Sequence, residues 1–183
     1  PDPVVRTGKI AKVKEPAPVS NITTPAATYV AAGAASHADN AAVTPALFAG
    51  ATLRDLILVF AAIRSSGTGT LQTPTGYTRL PIWSAADNVQ LFAKVHSGSE
   101  SNPTVTPSGG SAGDSVSAVT FGFRNMPVTL TDLSDLVVRV SQPLLNASAQ
   151  NITYPEMGNP KVNGCVVLAL GWKQDDWTSV AAV

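Results

Sequence analysis

Between residues 51 and 126 the chain alternates short apolar runs with clusters of small, turn-forming residues. The run Leu56-Ile57-Leu58-Val59-Phe60-Ala61-Ala62-Ile63 is unbroken, and Ser65, Ser66, Gly67, Thr68 and Gly69 close it. A run of this length and branching predicts a strand buried on both faces. Residues 89–96 alternate instead. Val89, Leu91, Ala93 and Val95 share one face, and Gln90, Phe92, Lys94 and His96 the other. Period two predicts a half-buried strand, because successive side chains point to opposite sides. Residues 115–123 alternate again, with Val116, Ala118, Thr120 and Gly122 opposite Ser117, Val119, Phe121 and Phe123. Thr73-Pro74-Thr75-Gly76 reads as a turn, since proline presets the first corner and glycine is free to take positive φ. Short strands are predicted at residues 77–80 and 104–106, the latter closed by a turn over Pro107-Ser108-Gly109-Gly110.

Outside that stretch the pattern changes. Residues 130–141 are ambiguous: Thr131, Asp132 and Asp135 would cap a short helix, yet Leu136-Val137-Val138-Arg139-Val140 is too β-branched to favour one. A strand or irregular edge is expected there. After Asn163-Gly164, the run Cys165-Val166-Val167-Leu168-Ala169-Leu170 echoes residues 54–62: a polar pair, an apolar strand, a polar loop. The first copy leads into a turn and two further strands, whereas the second meets Val183 first. A sheet lacking those strands would present an unpaired edge. The expectation is that the natural chain continues past Val183 or that a partner covers the gap. An intact mass equal to that of the 183 residues would reject the first option.

Residues 1–50 carry Pro1, Pro3, Pro16, Pro18, Pro25 and Pro45 and an Ala-rich stretch over 26–42. Pro16 and Pro18 would stop a helix begun in residues 10–15. Gly33 and its Thr, Ser and Asn neighbours favour a loop or weak strand over a helix. The expected organisation is an extended N-terminal arm over residues 1–50, most clearly extended in its first ~20 residues, and one β domain over 51–183. Short strands at regular spacing with Gly/Pro turns predict an all-β, antiparallel sandwich or jelly roll. Nothing alternates strand with helix as a parallel α/β sheet requires.

Composition narrows the function classes. A domain of 183 residues can bury a core without a disulfide or metal staple. Charged residues are 13% of the chain, about half the roughly 25% usual in soluble domains. Twelve basic and twelve acidic residues give zero net charge. No basic excess is present to hold a phosphate backbone, so no nucleic-acid partner is expected. Weak charge also means little repulsion between copies, which suits a tight assembly. No stretch approaches the ~18 apolar residues of a membrane helix, and Pro1-Asp2-Pro3 opens no apolar signal core. Cys165 is the only cysteine. In its apolar run it reads as a small buried hydrophobe rather than a reactive thiol, which needs an exposed electropositive setting. This usage fits synthesis inside a cell.

The ordered blocks carry a resemblance. Asp55-Leu56-Ile57-Leu58-Val59, Thr73-Pro74-Thr75-Gly76-Tyr77-Thr78, Leu91-Phe92-Ala93-Lys94-Val95 and Val105-Thr106 follow one another, then Ala118-Val119-Thr120-Phe121-Gly122-Phe123-Arg124-Asn125-Met126. Together they resemble a family of β-sandwich virion structural proteins of tailed bacteriophages, found as minor tail or head-decoration proteins. The likeness spans about residues 51–171. It departs from the family at Arg124-Asn125-Met126, where the family has an arginine-glycine-valine turn, and at Tyr77, where it has tryptophan. The resemblance implies a non-enzymatic particle component, made in the host cytoplasm and resident in the virion. Its partners would be other virion subunits and copies of itself. It brings no catalytic residues with it.

The residues themselves offer little catalytic chemistry. His37 and His96 are the only histidines. Ser97 adjoins His96, but neighbours on a strand face opposite ways, so they cannot form a nucleophile–base pair. No G-x-S-x-G elbow occurs. Two histidines without companion cysteines or carboxylates predict no metal centre, and no cofactor is expected. The glycines at 67, 69, 109 and 110 precede no helix with a Lys-Ser/Thr pair, so no phosphate cradle is expected. Asn21, Asn146 and Asn151 begin glycosylation-type triplets that arise readily by chance in an Asn/Thr-rich chain. The most distinctive polar cluster is Asp175-Asp176 flanked by Trp172 and Trp177. It reads either as an acidic turn with packing aromatics or as a ligand contact for a cation or a host-surface glycan. The second option defines an alternative function, a carbohydrate-binding or adhesive module, which Trp177→Ala on a glycan array would test.

Overall fold

The structure is a computed structural model that describes residues 25–64, 69–80, 88–126, 133 and 170. The elements in chain order are β1 (Thr28–Ala32), β2 (Ser36–Asp39), β3 (Leu56–Ile63), β4 (Thr70–Leu71), β5 (Thr78–Arg79), β6 (Val89–Val95), β7 (Pro107–Ser108) and β8 (Ser115–Arg124). All are strands, and the class is all-β. A six-stranded sheet runs β1-β8-β3-β6-β5, with β2 also paired to β8. Every pairing in it is antiparallel. β4 and β7 form a separate antiparallel pair, and the bridge between Val43 and Val105 lies on the same approach to β7.

β3 sits at the centre because its run is apolar on both sides. Ile57, Val59, Ala61 and Ile63 join Phe92, Val116 and Ala118 in one core cluster, closed from outside by Val43, Phe48, Leu71 and Val105. The small β4–β7 sheet thus packs over one face of the large one. Leu56 and Leu58 join Leu80, Leu91, Ala93, Val95 and Phe123 in a second cluster on the opposite face, against which Phe121, Met126, Leu133 and Leu170 pack. Each fully buried Leu, Ile or Phe contributes roughly 1.5–3 kcal/mol of transfer free energy.

Three expectations are modified. First, the arm drawn over residues 1–50 includes real sheet. β1 and β2 pair with β8, and Val43 and Phe48 are each only 2% exposed. In β1, Thr28, Tyr29 and Val30 favour a strand. Ser36-His37-Ala38-Asp39 of β2 carry little strand propensity, and pairing with β8 orders them, a tertiary effect that overrides local preference. Residues 1–24 lie outside the described residues. Second, β6 is not half-buried. Gln90 is 1% exposed and Phe92 0%, and Phe92 packs in the first cluster with Val43, Phe48, Leu71 and Val105. Third, Pro107-Ser108 is strand rather than turn. The turn follows it, at Gly109 and Gly110 with φ of +74° and +86°. The ambiguous stretch 130–141 and the echo at 163–170 fall outside the described residues except for Leu133 and Leu170.

Candidate functional site

The register of the sheet brings together polar residues that are far apart in sequence. Leu56 pairs with Phe123 across β3 and β8, which sets Asp55 beside Arg124 at the sheet's end. Arg124 Nε donates to Asp55 Oδ1 at 2.8 Å, and Nη2 donates to Oδ2 at 2.7 Å. Asp55 Oδ2 also accepts from the Thr52 N–H (2.9 Å) and hydroxyl (3.1 Å). Arg124 Nη2 reaches the Gly50 carbonyl at 3.1 Å and Thr52 Oγ1 at 2.9 Å. The Asp55 side chain is 2% exposed. Burial alone pushes its carboxyl up. The Arg124 hydrogen bonds, those from Thr52 and the Arg124 charge outweigh that, so the net shift is downward. This forked pair clamps the 50–55 turn to the end of β8.

A second cluster lies where β6 meets the 97–104 loop. Lys94 Nζ donates to Glu100 Oε2. Glu100 Oε1 accepts from the Ser97 N–H at 3.1 Å and its hydroxyl at 2.6 Å. Burial raises the Glu100 carboxyl, but the hydrogen bonds from Lys94 and Ser97 and the Lys94 charge together bring it below its ordinary value. Lys94 Nζ also stands 5.6 Å from the Tyr77 ring centroid, within cation–π reach. Beside these residues a cleft of about 170 Å³ opens, lined also by Thr75, Ser101, Asn102, Pro103 and Thr104. Asn102 Oδ1 accepts from the Leu47 N–H at 2.9 Å, and Thr104 Oγ1 shares a 3.2 Å hydrogen bond with Thr44 Oγ1.

Tyr77 forms one wall, and its hydroxyl is buried without a partner. Burial, then the Glu100 charge, pushes its ionisation up. An unsatisfied buried hydroxyl costs about 1–3 kcal/mol. Tyr77→Phe is therefore expected to raise stability by about 1 kcal/mol in a urea melt. A loss of stability would mean that the hydroxyl has a partner.

A third cluster is a clip between turns. Asp39 Oδ1 accepts from the Gly113 N–H at 2.7 Å, and Asp114 Oδ2 accepts from the Ser111 N–H at 2.8 Å. The Asn40 N–H donates to the Asp114 carbonyl at 3.0 Å.

His96 lies just past β6, 6% exposed, and its Nδ1 accepts from the Gly98 N–H at 3.0 Å. It is thus a buried turn residue rather than one on an open polar face. Ser97 Oγ is engaged with Glu100. His37 is an exposed residue of β2. Among the described residues no group of three or more His, Cys, Asp or Glu is placed to hold a metal ion. Trp172, Asp175, Asp176 and Trp177 lie outside the described residues, as do Cys165, Asn21, Asn146 and Asn151.

Sequence reasoning missed both ion pairs. Asp55 and Arg124 each stood in a block singled out above, but only the β3–β8 register shows that they meet. Lys94 and Glu100 are six positions apart, and the polar run Ser97-Gly98-Ser99-Glu100-Ser101-Asn102 carries a turn signal that brings them together. Comparison of the chain with protein-family models, curated proteins and solved structures gives no significant match.

Proposed function

We propose that this chain is a non-enzymatic structural subunit of a tailed-bacteriophage particle, a minor tail protein that works by packing against other subunits and copies of itself. Capsid decoration is the same role at another place in the particle. The observation that supports this most is how the charged side chains are used. Asp55 with Arg124, Glu100 with Lys94, and Asp39 with the Gly113 N–H each tie a turn to the sheet. Such groups stiffen a scaffold. The ordered blocks between residues 51 and 171 and the zero net charge point the same way.

Size-exclusion chromatography with light scattering tests the reading. The expected result is self-association, or retention on purified tailed particles. A strictly monomeric protein that also fails to bind such particles would contradict it.

A further inference from the structure

We propose that the cleft beside Tyr77, Lys94 and Glu100 binds a single sugar ring as a neutral, polyhydroxylated ligand. A glycan contact is compatible with a particle subunit and does not require one.

Size sets the first limit. The cleft holds about 170 Å³. It falls below the roughly 300–1,000 Å³ of sites for larger organic ligands. A single six-membered ring with its hydroxyls is the matching scale.

Charge sets the second. Lys94 and Glu100 neutralise each other, so the cleft has no net charge with which to hold an ion. Both keep hydrogen-bonding capacity. An ammonium has three donors, and Lys94 directs one to Glu100. A carboxylate offers about four acceptor sites, and Glu100 receives Lys94, the Ser97 N–H and the Ser97 hydroxyl. Asn102 accepts through Oδ1, which leaves its NH₂ donors for the cleft. Thr75 adds a hydroxyl. Donors and an acceptor therefore line one cleft, which suits vicinal hydroxyls that each donate once and accept twice.

The walls are already organised. Glu100 and the Tyr77 ring fix Lys94, and Ser97 fixes Glu100. The Lys94 side chain is 26% exposed and that of Glu100 8%. Partial exclusion of water strengthens each hydrogen bond, and preset side chains lose little freedom on binding. A ligand of this size binds in about the millimolar range. Useful attachment then comes from many copies acting together, as a repeated subunit would supply.

The test is a nitrogen-15 NMR titration of the full chain with D-glucose, D-galactose, D-mannose and N-acetylglucosamine, each to about 100 mM, well past the expected affinity. At least one sugar should saturably shift amides at 75–77 and 97–104. Asn102→Asp keeps an oxygen for the Leu47 N–H but removes the NH₂ donors, and Thr75→Val removes only a hydroxyl. Each should weaken binding about fivefold or more while the remaining spectrum stays dispersed. Absence of shifts with every sugar on a folded protein would overturn the proposal. So would shifts confined to residues 172–177, equal binding by both variants, or the same response to sodium acetate in place of sugar.

Discussion

Gly122→Ala is expected to destabilise the protein by about 2–3 kcal/mol, at the upper end of overpacking effects. A methyl group at this position would stand 2.2 Å from Phe48 Cε2 and 2.4 Å from Cδ2 and Cζ. The Phe48 ring lies flush on the β8 backbone and closes the first core cluster. It is 2% exposed, so it has no free space into which to swing. Guanidinium melts followed by circular dichroism would measure the loss. Phe48→Ala alone should cost about 3–5 kcal/mol through the cavity it leaves. The double variant decides the mechanism. If the damage is a clash between methyl and ring, removing the ring removes the clash, and the two costs together fall short of their sum by about 1 kcal/mol or more. Strict additivity would refute the contact.

Arg124→Met should be the most damaging change of a charged residue and should carry a pH signature. It leaves the Asp55 carboxylate buried with only Thr52 as donor, and an uncompensated buried charge is strongly destabilising. The folded-to-unfolded ratio should drop by roughly a hundredfold at neutral pH. In the parent protein the Asp55 carboxyl is held below its ordinary value. Its contribution to stability is therefore fully present above the unfolded value of about 3.9 and is lost as pH falls through the lower folded one. In the variant the Arg124 hydrogen bonds and charge no longer hold the carboxyl down, so it moves up relative to the parent. The variant should then gain stability relative to the parent as pH falls from 7 toward 4, because protonation discharges the buried group. Thermal melts at several pH values would show the two curves converging. A constant gap would mean that Arg124 acts through packing alone.

The body of the fold was legible wherever side-chain pattern and strand coincide. The unbroken run at 56–63 became the central strand because both of its faces find apolar cover. The alternation at 115–123 correctly assigned Val116 and Ala118 to one face and Phe123 to the other. β1 and β2 were not legible: the strand formers Thr28, Tyr29 and Val30 of β1 sit in a stretch of Ala, Gly and Ser, and β2 is placed by backbone pairing with β8 rather than by its own side chains. Gly33 shows the same limit. A Cβ there would stand 1.9 Å from the Ala46 carbonyl oxygen, so the glycine is required by a crossing that only the folded chain contains. Gln90 and Phe92 read as an open face because nothing local announces that Val43, Phe48, Leu71 and Val105, from distant parts of the chain, close the cluster around Phe92. The polar clusters were hidden for a related reason: Asp55 and Arg124 lie 69 positions apart, and only strand register pairs them.

The role in a particle is tested most directly by electron micrographs of purified tailed particles, made in cells producing this chain and decorated with gold-labelled antibody raised against it. Gold should gather at one repeated position on each particle, on the tail for the reading favoured here. Particles that remain bare while the antibody recovers the chain only from the soluble fraction would contradict the account.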